Sequence, residues 1–254
     1  RWETHFAQCH AQDGVTPVTV ERVRKWIDQP KARGLTREAA NLVILTWALQ
    51  TNRSFHLVAG GAAVDATIDR LHDDFEVRRQ QLPDEATWST ATRRAAELLG
   101  LVAPPLRSAQ GVGILGRAIA EKVTAVQAGV TAYAQELETA LGRVQVTDGN
   151  RRESARSARE IVSALQGASA TKAIEVLASA AVPTSGTAVG EAIEQGAELA
   201  AQLRKLQWSF LPSLAQLPRE HFGARVDALV GEVREALRAD EYVTPLADVV
   251  GRFN

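Results

Sequence analysis

The sequence predicts an all-α fold: an elongated multi-helix bundle with a long antiparallel helical hairpin, and a small β-hairpin, winged-helix-like, near the amino terminus. Three observations predict it. From Pro83 onward apolar residues recur at steps of three or four almost without a break. One stripe, Val112, Leu115, Ile119, Val123, Val126, Val130, Tyr133, Leu137, Leu141 and Val144, describes a coiled-coil-like helix on the order of 50 Å long. The breaks are short turn and cap signals, such as Asp148-Gly149-Asn150 and Pro183-Thr184-Ser185, and short connections between long helices make them antiparallel neighbours.

The elements follow in order. Val20, Val23 and Ile27 stand at helical spacing within residues 18–27, and Pro30 and Gly34 then break the chain. Thr36 is a good N-cap for a helix over residues 37–50, where Leu42, Val43, Ile44, Leu45, Trp47 and Leu49 are apolar almost all round, which predicts a central buried helix. Asn52 can end it. Residues 55–59 and 75–79 flank Gly60-Gly61 and an acidic stretch and can pair as two short strands. Asp84 caps a helix that carries Trp88, Ala91, Ala95 and Leu98 on one face before Gly100 and Pro104-Pro105.

Ser108 opens the long helix, residues 108–145, which is expected to pair with residues 151–166 or with a single helix over residues 185–208. Ala155, Ala158, Ile161, Val162 and Leu165 face inward on the return, and a short helix follows over residues 171–180. Ser185 caps the next helix, and Pro212 and Pro218 bracket a connector. The last segments are a helix over residues 221–238, with Phe222, Val226, Leu229, Val233 and Leu237 inward, and a short helix ending near Phe253. Two domains are expected: a small helical, winged-helix-like subdomain over residues 1–82 and a long-helix bundle or stalk over residues 83–254.

Composition limits function. At 254 residues the chain can bury a substantial core. It begins at Arg1 and contains no methionine, which predicts either a removed leader or, as the favoured reading, a segment cut from a longer reading frame. No apolar run reaches the roughly 20 residues of a membrane span, and the start lacks the shape of a signal peptide, so a cytoplasmic chain without membrane contact is expected. Cys9 is the single cysteine, which excludes an internal disulfide and any zinc site built on paired cysteines. The 29 basic and 30 acidic side chains nearly cancel, leaving no global field for nucleic acid.

No catalytic, cofactor or metal residues emerge. Gly111, Gly113 and Gly116 spell G-x-G-x-x-G, but a dinucleotide site needs a preceding strand; here the glycines lie in the helical stripe, where small residues admit a neighbouring helix. No P-loop sequence occurs. His5, Cys9 and His10 could bring ligands to one helix face, and Asp69, His72 and Asp73 form a second cluster, yet both hold too few ligands for zinc or calcium. Nothing resembles G-x-S-x-G, and Ser185-Gly186 is better read as a cap. A serine nucleophile with histidine and acid drawn from distant positions remains an open reading.

The one local charge bias is Arg22, Arg24, Lys25, Lys31, Arg33 and Arg37. Helices followed by a hairpin resemble a winged helix, and Arg22, Arg24, Lys25, Arg33 and Arg37 could contact DNA phosphates weakly and without sequence preference. The alternative is a solvated polar face.

The runs GLTREAANLVILTWALQTNRSF, LPDEATWSTATRRAAELLGL, LRKLQWSFLPSL and ALRADEYVTPLADVV resemble the carboxy-terminal region of the large bacteriophage-resistance ATPases of bacterial BREX and Pgl defence systems. In that family a P-loop ATPase module precedes a long helical region, so ATP and magnesium are implied only for a module absent from these residues. The resemblance implies a non-catalytic arm that docks other proteins of the defence system, self-associates, or passes ATPase-driven motion to a DNA-associated complex. A DNA-binding winged-helix-like module and an enzyme with a scattered site are the competing classes.

Overall fold

The computed structural model describes residues 2–253 other than Val15, Ala59, Gly60, Ala62 and Gln207. It is mostly helical with one small antiparallel sheet, and the chain divides into two compact units, Arg1–Pro83 with Pro104–Ile114, and Asp84–Ala103 with Leu115–Asn254.

The first unit begins with α1, Trp2–Asp13, which the sequence reading did not assign; Phe6 and Cys9 are its buried positions. Helix α2, Val20–Ile27, starts where the Thr19 hydroxyl accepts the Arg22 amide, and it buries Val20, Val23, Trp26 and Ile27. Helix α3, Arg37–Gln50, is capped by Thr36, and Asn52 adopts a left-handed conformation (φ 53°) just past its end. Three strands follow, not the expected two: β1, Arg53–Leu57, β2, Ala63–Val64, and β3, Phe75–Arg79. Both outer strands run antiparallel to the central β1, with Phe55 opposite Val77. The two-residue β2 is too short to show an alternating pattern in sequence, and the predicted strand end at Ala59-Gly60 lies outside the described residues.

A single bridged residue, Thr19 with Glu76, precedes α2. The order helix, bridge, helix, helix, strands agrees with the winged-helix-like arrangement expected from the sequence. Its core is aromatic: the Phe6 ring meets Trp47 edge-on at 5.0 Å, with Trp26, Ile44, Phe55 and Val77 around them.

One expectation fails here. Helix α3 is not buried all round: Asn41, Ile44, Trp47 and Ala48 face the core, whereas Leu42 and Leu49 are 53% and 52% exposed. A three-stranded sheet and two helices can cover one side of α3 and no more.

In the second unit Asp84 caps α4, Glu85–Leu99, and Gly100 closes it at positive φ. The long helix α5, Ala109–Arg143, has its first residues in the first unit. Then come α6, Asn150–Leu165, α7, Ala170–Ser179, α8, Gly186–Glu194, and α9, Gly196–Lys205. The chain ends with α10, Phe210–Ala215, in the expected connector, α11, Arg219–Arg238, and α12, Leu246–Phe253.

Helix α5 runs antiparallel to α6: Glu138 pairs with Arg152 at 2.7 Å near the turn, while Gln127 and Gln166 flank the far end of the groove between them. Against α8 and α9 it runs parallel, with Lys122 on Glu194, Gly129 against Ala197, and Glu136 on Arg204 at 2.7 Å. Of the two expected partners, α6 is therefore the antiparallel one. The expected helix over residues 185–208 breaks at Gln195, and a Cβ on Gly196 would lie 2.9 Å from the Val130 amide nitrogen. Glycine at position 196 lets two backbones approach where a side chain would collide.

Helices α4 and α6 each pack against α7 and α8. Arg94 donates to the Leu177 and Ala178 carbonyls at the end of α7, each at 2.9 Å, and buried Ser157 donates to the Ala181 carbonyl at 2.6 Å. Helix α11 buries only Val233 and Leu237; Phe222 is exposed and Val226 and Leu229 half-buried, so its first half is not the inward face the pattern predicts. Val126 is likewise half-buried, because it sits at the edge of the α5 stripe. Among the described residues no helix is long and apolar enough to cross a membrane.

Candidate functional site

The winged-helix order makes α3 the helix that would enter a DNA groove. Its outward face carries Leu42, Thr46 and Leu49, with Leu35 exposed one residue before the cap. Leu42 and Leu49 are seven apart within α3, so they lie on one side of the helix, whereas Leu35 precedes the extended cap Thr36 and stands outside the helical repeat. Leucine offers nothing to the hydrogen-bonding edge of a base.

The basic residues singled out in the sequence are mostly engaged. Arg24 pairs with Asp73 at 2.7 Å and donates to the Leu71 carbonyl, and Arg37 reaches the same Asp73 at 3.4 Å. Arg22 lies 3.9 Å from Asp13, and Lys25 pairs with Glu21 at 2.7 Å. Arg33 donates to the Ile27 carbonyl and lies 4.7 Å from the centre of the Trp2 ring. Much of the charge expected to meet phosphate is spent holding α2, α3 and the loop before β3 together.

Sequence reasoning missed a different cationic pair. Strand register sets Arg53 on β1 opposite Arg79 on β3. Arg53 lies over the Trp47 ring at 4.6 Å, and burial, then the Arg79 charge, lower its pKa. Both line a cavity of about 300 Å³ floored by Phe6, Val18, Trp26 and Trp47. The signal in the sequence was one arginine at the start of a strand and another at the end of its neighbour, which only the register brings together.

The metal candidates separate. The His5 imidazole meets the Trp26 carbonyl at 2.6 Å and Cys9 Sγ at 3.8 Å, while His10 packs on the Trp26 ring. Burial, then Asp13, pushes the Cys9 thiol pKa up, away from the thiolate a metal requires. Asp73 is occupied by arginines, and His72 packs on Phe75. Among the described residues no group of three or more His, Cys, Asp or Glu side chains could hold a metal ion.

The glycines serve packing. Ser108 Oγ accepts the Gly111 amide at 3.0 Å, and a Cβ on Gly116 would stand 2.4 Å from that of Ala170. Ser54 Oγ lies 2.7 Å from His56 Nε2, and His56 Nδ1 is 2.9 Å from the Gly61 carbonyl. Gln80 donates to the same Ser54 oxygen. The set ends on a backbone carbonyl where a serine-histidine-acid arrangement would have a carboxylate.

No solved structure matches this chain. A family model described as the BREX System ATPase PglY protein 5th domain matches residues 1–48, and one described as the BREX System ATPase PglY protein 6th domain matches residues 92–254, well over half of the chain. The first model spans α1, α2 and most of α3 and the second most of the helical bundle, and the chain belongs to the BREX system PglY ATPase family.

Proposed function

We propose that this chain is a non-catalytic, cytoplasmic docking region of a phage-defence ATPase, and that the exposed leucine stripe of α3 holds another protein of the defence system. The carrying observation is the pair Leu42 and Leu49, more than half exposed on the helix that a winged helix presents to its partner. An apolar helix face of this kind is stabilised by a second helix laid along it. The surrounding arginines, paired with Asp73 and Glu21, leave a rim of mixed charge suited to a protein surface.

The double substitution Leu42→Glu and Leu49→Glu tests the reading. Both side chains point outward, so helicity and melting temperature are expected to stay within error while co-purification with other proteins of the same defence system, and plaque reduction by the full-length protein, are lost. Unimpaired co-purification and defence would overturn it. The competing DNA reading predicts instead a gel shift that weakens with salt and with neutralisation of Arg22, Arg24, Lys25, Arg33 and Arg37.

A further inference from the structure

The cavity beside Arg53 and Arg79 has features that neither the docking reading nor the fold requires. Like charges directly opposite each other across a strand pair are destabilising. Arg22, Arg24, Lys25, Arg37 and Arg78 each have a carboxylate within ion-pair range. Among the described residues, none pairs with Arg53 or Arg79. Arg53 Nε is shielded from solvent with no acceptor, and His10 Nδ1 on the same cavity wall, a donor or an acceptor according to its tautomer, has no partner. Polar groups withdrawn from water without partners cost free energy unless a ligand supplies them.

The space around them is shaped for a small molecule. Its floor is the buried aromatic cluster, Gln50, Thr51 and Asn52 supply polar groups, Glu3 is the one carboxylate among the lining residues beside the two arginines, and about 300 Å³ is at the lower end of the range for small-ligand sites. An open groove of about 700 Å³ that shares Asn52 and Arg79 continues past it to Arg107. Two guanidinium groups balance a phosphate monoester, which carries close to two negative charges at neutral pH, better than a single carboxylate, and their planar forks match its oxygens.

We propose that this cavity binds a small organic phosphate of mononucleotide size, with the phosphate across Arg53 and Arg79 and the rest of the molecule along the rim at Ala7, Gln50 and Asn52. The site is independent of the leucine stripe, so loss of one leaves the other intact. It has no part in phosphoryl transfer: the phosphate ester enters and leaves unchanged.

The test titrates the 254-residue chain with AMP, GMP, CMP and UMP in turn, followed by tryptophan fluorescence and by the phosphorus resonance of the ligand. Saturable binding of at least one with Kd below about 1 mM is expected, weakened about tenfold or more by Arg79→Gln, by Arg53→Gln and by removal of the phosphate to give the nucleoside. Arg79 is exposed, so Arg79→Gln is expected to fold and to melt at the same or a higher temperature, since it relieves the cross-strand repulsion. No saturable response to any of the four, or unchanged affinity in folded Arg79→Gln, or equal affinity for nucleoside and nucleotide, would overturn the proposal.

Discussion

Arg151 and Glu241 form a buried ion pair that joins the first turn of α6 to the turn before α12. A cation at a helix amino terminus opposes the helix dipole. Arg151 is tolerated there because its guanidinium also meets the Ala236, Asp240 and Thr244 carbonyls, while the second Glu241 oxygen accepts the Leu246 amide at 2.7 Å and caps α12. Arg151 is 1% exposed. Removing Glu241 leaves that charge buried, so Glu241→Ala is expected to cost about 3–5 kcal/mol. Replacing the partners together, as Arg151→Met with Glu241→Leu, is expected to cost less than Glu241→Ala alone. Urea unfolding of the three variants measures both, and equal losses would show that the pair is not what fastens this end of the bundle.

Tyr133 packs beside this pair, and burial is the main reason its phenol pKa is pushed up to about 12; the Arg151 charge partly opposes the shift. Between pH 10 and about 12 the unfolded chain loses the phenolic proton while the folded chain keeps it. The contribution to stability is therefore full below pH 10 and is lost as the pH rises through about 12. Its size is about 2–3 kcal/mol. Urea midpoints at several pH values across that window should fall more steeply for the wild-type chain than for Tyr133→Phe; parallel curves would place the phenol in water.

The glycine motif separates packing from nucleotide chemistry. Gly113 has open space where a Cβ would stand, whereas on Gly116 it would overlap Ala170. Gly113→Ala is expected to stabilise α5 by about 0.5–1 kcal/mol through helix propensity, and Gly116→Ala to destabilise it by about 1–3 kcal/mol through overpacking. Neither variant, nor the wild type, is expected to hydrolyse ATP. Turnover in a phosphate-release assay that either substitution abolishes would show that these glycines cradle phosphate.

Element type was legible wherever one rule sufficed. The caps Thr36, Asp84 and Ser185 each accept the amide three residues on, as their chemistry dictates. What periodicity could not reveal was which side of an apolar helix has a neighbour. Leu42 and Ile44 look alike in sequence, and only the sheet and α2 decide that Ile44 is covered. The break at Gln195 was hidden for a similar reason, since Gly196 is required by the approach of Val130 from a distant segment. Arg53 and Arg79 become a pair only through strand register. The arginines near Arg24 looked like a phosphate patch because Asp73, their partner, lies far along the chain.

The α5 stripe itself can be tested at one position inside it and one beside it. Val130 is 1% exposed and stands where the Gly129–Val130 backbone meets Gly196, so Val130→Asp would bury a carboxylate with no cation in place. Desolvation of that charge, together with the lost methyl packing, is expected to cost several kcal/mol, on the order of 3–5. Gln127 is half-buried on the wall of the open groove between α5 and α6, where a carboxylate keeps access to water. Arg159 lines the same groove, so Gln127→Asp is expected to change stability by no more than about 0.5 kcal/mol. Tyr133 is as deeply buried as Val130, which makes Tyr133→Asp a folding mutation in the isolated chain and not the selective loss of a docking surface. Thermal melts of the three variants read the ranking directly: equal melting temperatures for Val130→Asp and Gln127→Asp would mean that the stripe is not the seam along which α5 packs.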